Sequence, residues 1–166
     1  WSSDVCSSDL SASKIALKAI SQESTKALIN AGFAASEIGG IAADVVTGSI
    51  LDSLSDVDLP DDSDIVTLAA EVASGSTVAF SSLAKSGTIS AEEFKGSTSK
   101  ISQKTLKSIV AFAEDDSNID ISDASSKLLS AVSKGASLAG EDTDSIKSLT
   151  SNLVTDLTGA LKEAGI

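Results

Sequence analysis

Two residue patterns in this sequence have the right side chains for making and breaking bonds. The first is Ser followed three residues later by Lys, at Ser11–Lys14, Ser82–Lys85 and Ser97–Lys100. A buried, deprotonated Lys beside a Ser is one way to activate a hydroxyl nucleophile. The second is the set Glu92, Glu93 and Glu114, from which a carboxylate pair could serve as the acid and base of glycoside hydrolysis. Neither pattern has the company it needs. No Ser–Lys spacing is followed by further parts of a hydrolase signature, and in a Ser-rich chain such spacings arise by chance. Sugar sites usually also use aromatic platforms, yet the chain has no Tyr and its one Trp is Trp1.

The missing residue types exclude more. Among 166 residues there is no His, Met, Tyr or Arg, the one Cys is Cys6, and all twelve basic residues are Lys. Ser-His-Asp and Cys-His systems are therefore out of reach. Zinc, haem and iron–sulfur centres lack ligands, and no guanidinium fork can grip a phosphate. Titration near neutral pH would need a strongly shifted carboxylate or Lys. With 24 acids against 12 Lys the formal net charge is −12. Nucleic acid is then disfavoured as a ligand, because nothing would neutralise its phosphates, and so, for the same reason, is an anionic membrane surface. The longest charge-free stretch, residues 72–84, is short of the roughly 18 apolar residues a span needs. No membrane span is expected.

Two stretches resemble the calcium loops of a degenerate EF-hand pair. In residues 87–94 (GTISAEEF) stand the turn Gly, the Ile of the short β-bridge, and Glu93 at the closing position of a loop running over 82–93. In residues 114–125 (EDDSNIDISDAS) Ile121 takes the bridge position. The resemblance covers residues 70–138. It implies a metal site at Glu114, Asp116, Asn118 and Asp120, the last through its carbonyl. The departures are Ser82, Ala84 and Ser86 where the first loop needs acids, and Ile119 and Ser125 where the second needs its Gly and closing acid. Calcium takes six to eight oxygens, so the plainer reading is two capped helix starts whose Ile89 and Ile121 plug the core. An acidic run at residues 52–64 (Asp52, Asp56, Asp58, Asp61, Asp62, Asp64) offers further hard oxygen donors. It reads more simply as caps and a solvated loop. Residues 1–10 (WSSDVCSSDL) resemble the translated tail of a sequencing adapter. That implies a non-native leader and a single helical domain over 11–166, truncated at its N-terminus. A lipoprotein cleavage site at Cys6 would require an apolar stretch before it, which is absent.

The elements that must position these groups are helical almost throughout. Residues 14–31 predict a helix with Ile15, Lys18, Ala19, Gln22, Lys26 and Ile29 on one face. Ser36 and Glu37 open a second over 37–54, where Gly39, Gly40, Ala42, Ala43 and Gly48 allow close approach by a neighbour. Pro60 breaks the chain, and Asp61, Asp62 or Ser63 caps a third helix over 62–85 that stops at Gly87. Ser90 and Glu93 form a capping box. Residues 96–99 loosen the chain, and a helix follows over 100–114. Ser122 caps a helix over 123–138 that stops at Gly140. Asp142 or Thr143 caps the last, which ends at Gly165. The sum is an all-α bundle of five or six amphipathic helices with short loops. Its core is built from Ile, Leu, Val, Ala and four Phe. Ile20-Ser-Gln recurs as Ile101-Ser-Gln, too little to establish a duplication.

The functional expectation is a non-enzymatic structural or protein-interaction domain with an unknown protein partner. Its acidic balance and Ser/Thr-rich surface resemble those of modules in secreted or cell-surface proteins. The alternative is a weak divalent-cation (calcium) binding module using residues 114–125 or 52–64.

Overall fold

Where the backbone stops being helical is decided by turn chemistry. Gly32, Gly87, Gly140 and Gly165 all take positive φ, between 74° and 87°, the left-handed conformation that ends a helix at little cost only in glycine. The computed structural model describes residues 7–55, 62–115 and 119–166, which form an all-α bundle. The elements are α1 (Ser7–Asn30), α2 (Ala35–Ile41), a π-helical segment (Ala42–Thr47), α3 (Gly48–Ser55), α4 (Asp62–Lys85), α5 (Ala91–Asp115), α6 (Ile121–Leu138) and α7 (Thr143–Glu163). Elements α2, the π segment and α3 follow one another without a break, so six rods pack together.

The rods sit in two layers of three. In one layer α4 lies between α1 and α6; in the other α5 lies between the α2–α3 rod and α7. Cross-links give the directions. Lys95, Ser99 and Lys107 of α5 meet Ser148, Asp156 and Glu163 of α7 in ascending order, so these two run the same way. Gly39 and Gly48 face Ser97 and Lys104, so the α2–α3 rod also runs with α5. In the other layer Ala69 and Ala124 share one core cluster, while Lys85 reaches Ala139 at the far end, which sets α4 parallel to α6. Short loops joining α4 to α5 and α6 to α7 make consecutive rods antiparallel, an up-and-down path.

The core has two centres. The larger holds Phe80, Ile101, Leu106, Leu128, Val132, Leu149 and Leu153, with Phe94 and Ile89 near the α4–α5 turn. The smaller, at the other end, holds Leu51, Leu54, Val66, Leu68, Ala69, Ile109 and Ala124. Leu10 packs against this second cluster, inside a helix that begins at Ser7. Of the four Phe expected inside, Phe80 and Phe94 are buried, Phe112 is half-buried and Phe33 is exposed.

Several boundaries and faces differ from the sequence reading. Helix α5 does not loosen at residues 96–99. It runs unbroken from Ala91, because the cost of Gly96 is about 1 kcal/mol and Ser97, Thr98 and Ser99 are buried against neighbours. The buried face of α1 is not the one with Ile15, which is 72% exposed. It centres on Ser21 and Thr25, both fully buried. The cap of α2 is Ala34, without a side-chain bond, rather than Ser36. The cap of α6 is Asp120, not Ser122. Pro60 and Asp61 lie outside the described residues, as do the side chains of Asp62 and Ser63.

Two rods, Ala35–Ser55 and Asp64–Lys85, are long and apolar enough by length and composition to cross a bilayer, each with mean hydropathy 1.2. The expectation of no span rested on uninterrupted uncharged runs. These segments qualify because an 18-residue stretch within each carries no more than two charged residues. In the bundle Asp64–Lys85 is the middle rod of its layer, with 72% of its apolar window buried.

Candidate functional site

The groups that looked able to do chemistry are spread along the rods, and the fold gives most of them a structural task. Glu93 sits in the capping box. Its Oε2 accepts from the Ser90 N–H at 2.7 Å, and the Ser90 Oγ accepts from the Glu93 N–H at 3.1 Å. The bond from the Ser90 N–H, then that from its hydroxyl, holds the Glu93 carboxyl below its ordinary pKa. Because α5 is one continuous helix, Glu114 lies 21 residues further along it, about 30 Å away. A glycosidase pair needs its carboxyls within about 10 Å, so Glu93 and Glu114 cannot act together, and neither can Glu92 and Glu114.

Asp120 is the N-cap of α6. Its Oδ1 accepts from the Ser122 N–H at 2.8 Å and the Asp123 N–H at 3.2 Å. Glu114 is exposed in the last turn of α5. Asp116 and Asn118 lie outside the described residues, as do Asp56, Asp58 and Asp61 of the acidic run. Among the described residues no three acids converge to hold a metal ion. Ile89 is buried in the larger cluster and Ile121 packs on the smaller.

The Ser–Lys spacings are taken apart in the same way. Ser82 Oγ donates to the Val78 carbonyl at 2.9 Å. Lys85 turns away from it to the Ala139 carbonyl at the end of α6, where a cation also suits the helix dipole. Ser97 is buried beneath Gly39, at whose Cβ position its Oγ would stand 2.5 Å away, while Lys100 is exposed on the outer surface.

Hydroxyls fill the interior instead. Every buried polar side chain among the described residues is a Ser or Thr. Ser76 Oγ meets Ser21 Oγ at 2.6 Å and Thr25 Oγ1 at 3.0 Å, and Ser21 also donates to the Val72 carbonyl at 2.7 Å. Together they join α1 to α4. Ser81 donates to Glu141 at 2.5 Å, and Ser99 to Asp156. Thr77, Ser102 and Thr105 each donate to the carbonyl four residues back, which satisfies a hydroxyl at a helix surface that packs closely. Among the described residues, only the buried hydroxyls of Thr47, in the π segment, and Thr98 have no partner. The sequence reading placed Ser and Thr on the surface; the close helix approaches put a dozen of them inside.

Among the described residues, shallow grooves open to solvent along and between the rods. One, of about 380 Å³, runs between α4 and α6 beside Glu71, Lys127 and Lys134. One of similar size lies between α5 and α7 beside Glu92, Lys95 and Asp156. A more apolar one lies along α7, between Ile146 and Val154. The fourth, about 370 Å³, separates the α2–π rod from α5 and is lined by Gly40, Ala43, Asp44, Lys100, Gln103, Lys104 and Lys107. The sequence reading missed this groove. Its lysines recur at positions i, i+4 and i+7, which in one dimension is indistinguishable from an ordinary solvated helix face. No family model matches the chain, and neither does any curated protein or solved structure.

Proposed function

We propose that this chain is a non-enzymatic helical domain that works as a structural or protein-interaction module. The observation that carries the reading is the use made of its reactive groups. Ser21, Ser76, Ser81 and Ser99 bridge helices, while Glu93, Asp120 and Asp142 cap them. The side chains a catalyst would place in a cleft are here spent on the scaffold. The surface left for function is helix faces and the grooves between them, the usual material of protein recognition.

The test is a pair of measurements on the whole chain. Thermal unfolding is followed as calcium is added, and turnover is assayed with generic ester, peptide and glycoside substrates. The reading expects an unchanged midpoint and no turnover. A midpoint that climbs with calcium concentration, as binding to the native state requires, would replace it with the cation-binding alternative, at Glu114, Asp116, Asn118 and Asp120 or in the acidic run over 52–64. Turnover that vanished in a Ser or Glu variant of unchanged fold would overturn it in favour of an enzyme.

A further inference from the structure

The groove between the α2–π rod and α5 is a basic island in an acidic chain. Lys100, Lys104 and Lys107 face it from α5, against one acid, Asp44, from the π segment. Its formal charge is therefore +2, from three Lys and one Asp, where the whole chain carries −12. Neither Lys100 nor Lys104 has an ion-pair or hydrogen-bond partner among the described residues. Lys107 approaches only Glu163, at 3.8 Å and well exposed, a pair worth little in water. The stem of Lys104 lies against the backbone of Gly48, its Cε 3.2 Å from where a Cβ would be. That contact holds its ammonium at the groove rather than free in solvent.

We infer that this groove docks an acidic peptide segment of a protein partner, one with carboxylates on alternate residues. This rests on the interaction-module reading and names the surface and the partner's chemistry. Three features select a peptide over a single anion. The lysines are separated along the helix by about 6 Å and about 4.5 Å, so they form a row and do not converge on one point. Carboxylates two residues apart in an extended segment stand about 6.6 Å apart, close to the step of about 6 Å from Lys100 to Lys104. Gln103 donates through its Nε2 to Ser99 Oγ at 3.3 Å, which leaves its amide oxygen to accept a peptide N–H. A nucleic acid fits less well. The groove holds no aromatic ring on which a base could stack, and the net charge of the chain repels a long polyanion.

The experiment is fluorescence anisotropy with the full chain and a labelled eight-residue peptide of alternating Asp and Ser. Its Asn–Ser counterpart and an unstructured single-stranded DNA oligomer serve as competitors. Binding of the Asp–Ser peptide is expected, with no competition from the Asn–Ser peptide. It should be lost near 0.5 M salt, where the Debye length is only a few Å. The double variant Lys100→Gln, Lys104→Gln should weaken it about tenfold, while Lys134→Gln, on the α4–α6 groove, should leave it unchanged. Circular dichroism confirms that each variant is folded. No binding at low salt, an unaffected double variant, or DNA competing better than the Asp–Ser peptide itself would each overturn the assignment of this groove. Turnover in the substrate assays would overturn the reading beneath it, so the two failures are told apart.

Discussion

The seam between α1 and α4 and the wall made by α5, α6 and α7 hold the same bundle together with different materials. The wall is conventional: Leu128 and Val132 of α6, Leu149, Leu153 and Leu157 of α7, and Ile101 and Leu106 of α5 bury aliphatic side chains at helical spacing. The seam has few such residues. Its centre is Ser21, Thr25 and Ser76, linked by hydroxyl contacts of 2.6 and 3.0 Å. Beside them Gly75 lies so close to α1 that any Cβ would collide with the Lys18 carbonyl oxygen. A bundle can therefore be closed by removing apolar area from water or by bringing two backbones so near that small hydroxyls satisfy one another. The second route tolerates less change, because the fit is set by backbone rather than by side chains that can repack.

Truncating the largest side chain that the wall packs around, Phe80 of α4, gives the biggest effect. Phe80 is fully buried, and Phe80→Ala should cost about 3–5 kcal/mol, measured as a lower urea midpoint for the whole molecule. The transition should stay cooperative, since Phe80 serves several rods at once. A loss below about 1 kcal/mol would mean that the larger cluster is loosely packed.

The corresponding change in the seam is smaller but local. Gly75→Ala places a methyl against the α1 backbone, and overpacking of that kind costs about 1–3 kcal/mol. The expected signature is faster amide exchange confined to α1, which peels away while the other rods stay protected. Gly159, where a Cβ would meet nothing within 4 Å, is the control: Gly159→Ala should stabilise by about 0.5–1 kcal/mol. Equal effects at the two glycines would show that the close approach at Gly75 is not what joins α1 to α4.

Ser76→Ala tests the hydroxyls without disturbing the spacing. It strands Thr25 while Ser21 keeps its bond to the Val72 carbonyl, so about 1–2 kcal/mol should be lost. The opposite sign is expected at Thr47, whose buried hydroxyl has no partner among the described residues. Thr47→Val swaps it for a methyl of similar shape and should gain about 1 kcal/mol. A loss at Thr47 would mean that the π segment uses that hydroxyl.

The same contrast explains which features could be read in advance. The wall was legible, because Leu149, Leu153 and Leu157 repeat at helical spacing. So were the punctuation marks: the Ser90–Glu93 box, the Asp142 cap, and glycines 87, 140 and 165. The seam was not legible, since Ser21 and Thr25 look like surface residues while Ile15 and Ile20, which look buried, are exposed. The repeated Ile-Ser-Gln makes the point within one motif. Ile20 is half out in solvent and Ile101 is fully buried, but the Ser after each, Ser21 and Ser102, is buried in both. The π segment left no trace either. It appears where the Gly48 N–H reaches back five residues to the Ala43 carbonyl, a shift of one residue that a hydropathy pattern averages away. The basic groove needs two rods to exist, and a pattern along one chain cannot bring Lys104 against Gly48.

The smallest effect concerns pH and falls at the ends of the rods rather than between them. Glu93 and Asp142 both bind protons more weakly in the folded chain than in the unfolded one. For Glu93 the cause is its bonds from Ser90. For Asp142 it is chiefly the Ser145 N–H, at 2.7 Å, with the charge of Lys85 adding a little. A depressed carboxylate stabilises the fold above its unfolded pKa, and that contribution disappears as pH falls through the folded value. Neutral solution therefore has the caps intact, and acid removes them. The urea midpoint should fall on acidification, with the starts of α5 and α7 losing amide protection first. Glu93→Gln and Asp142→Asn lower the neutral midpoint slightly and flatten its acid dependence, because an amide oxygen still accepts a cap bond but does not titrate. Phe80→Ala shifts the whole curve down without changing that slope. If the two cap variants keep the wild-type acid dependence, the slope arises from other carboxylates of this acidic chain.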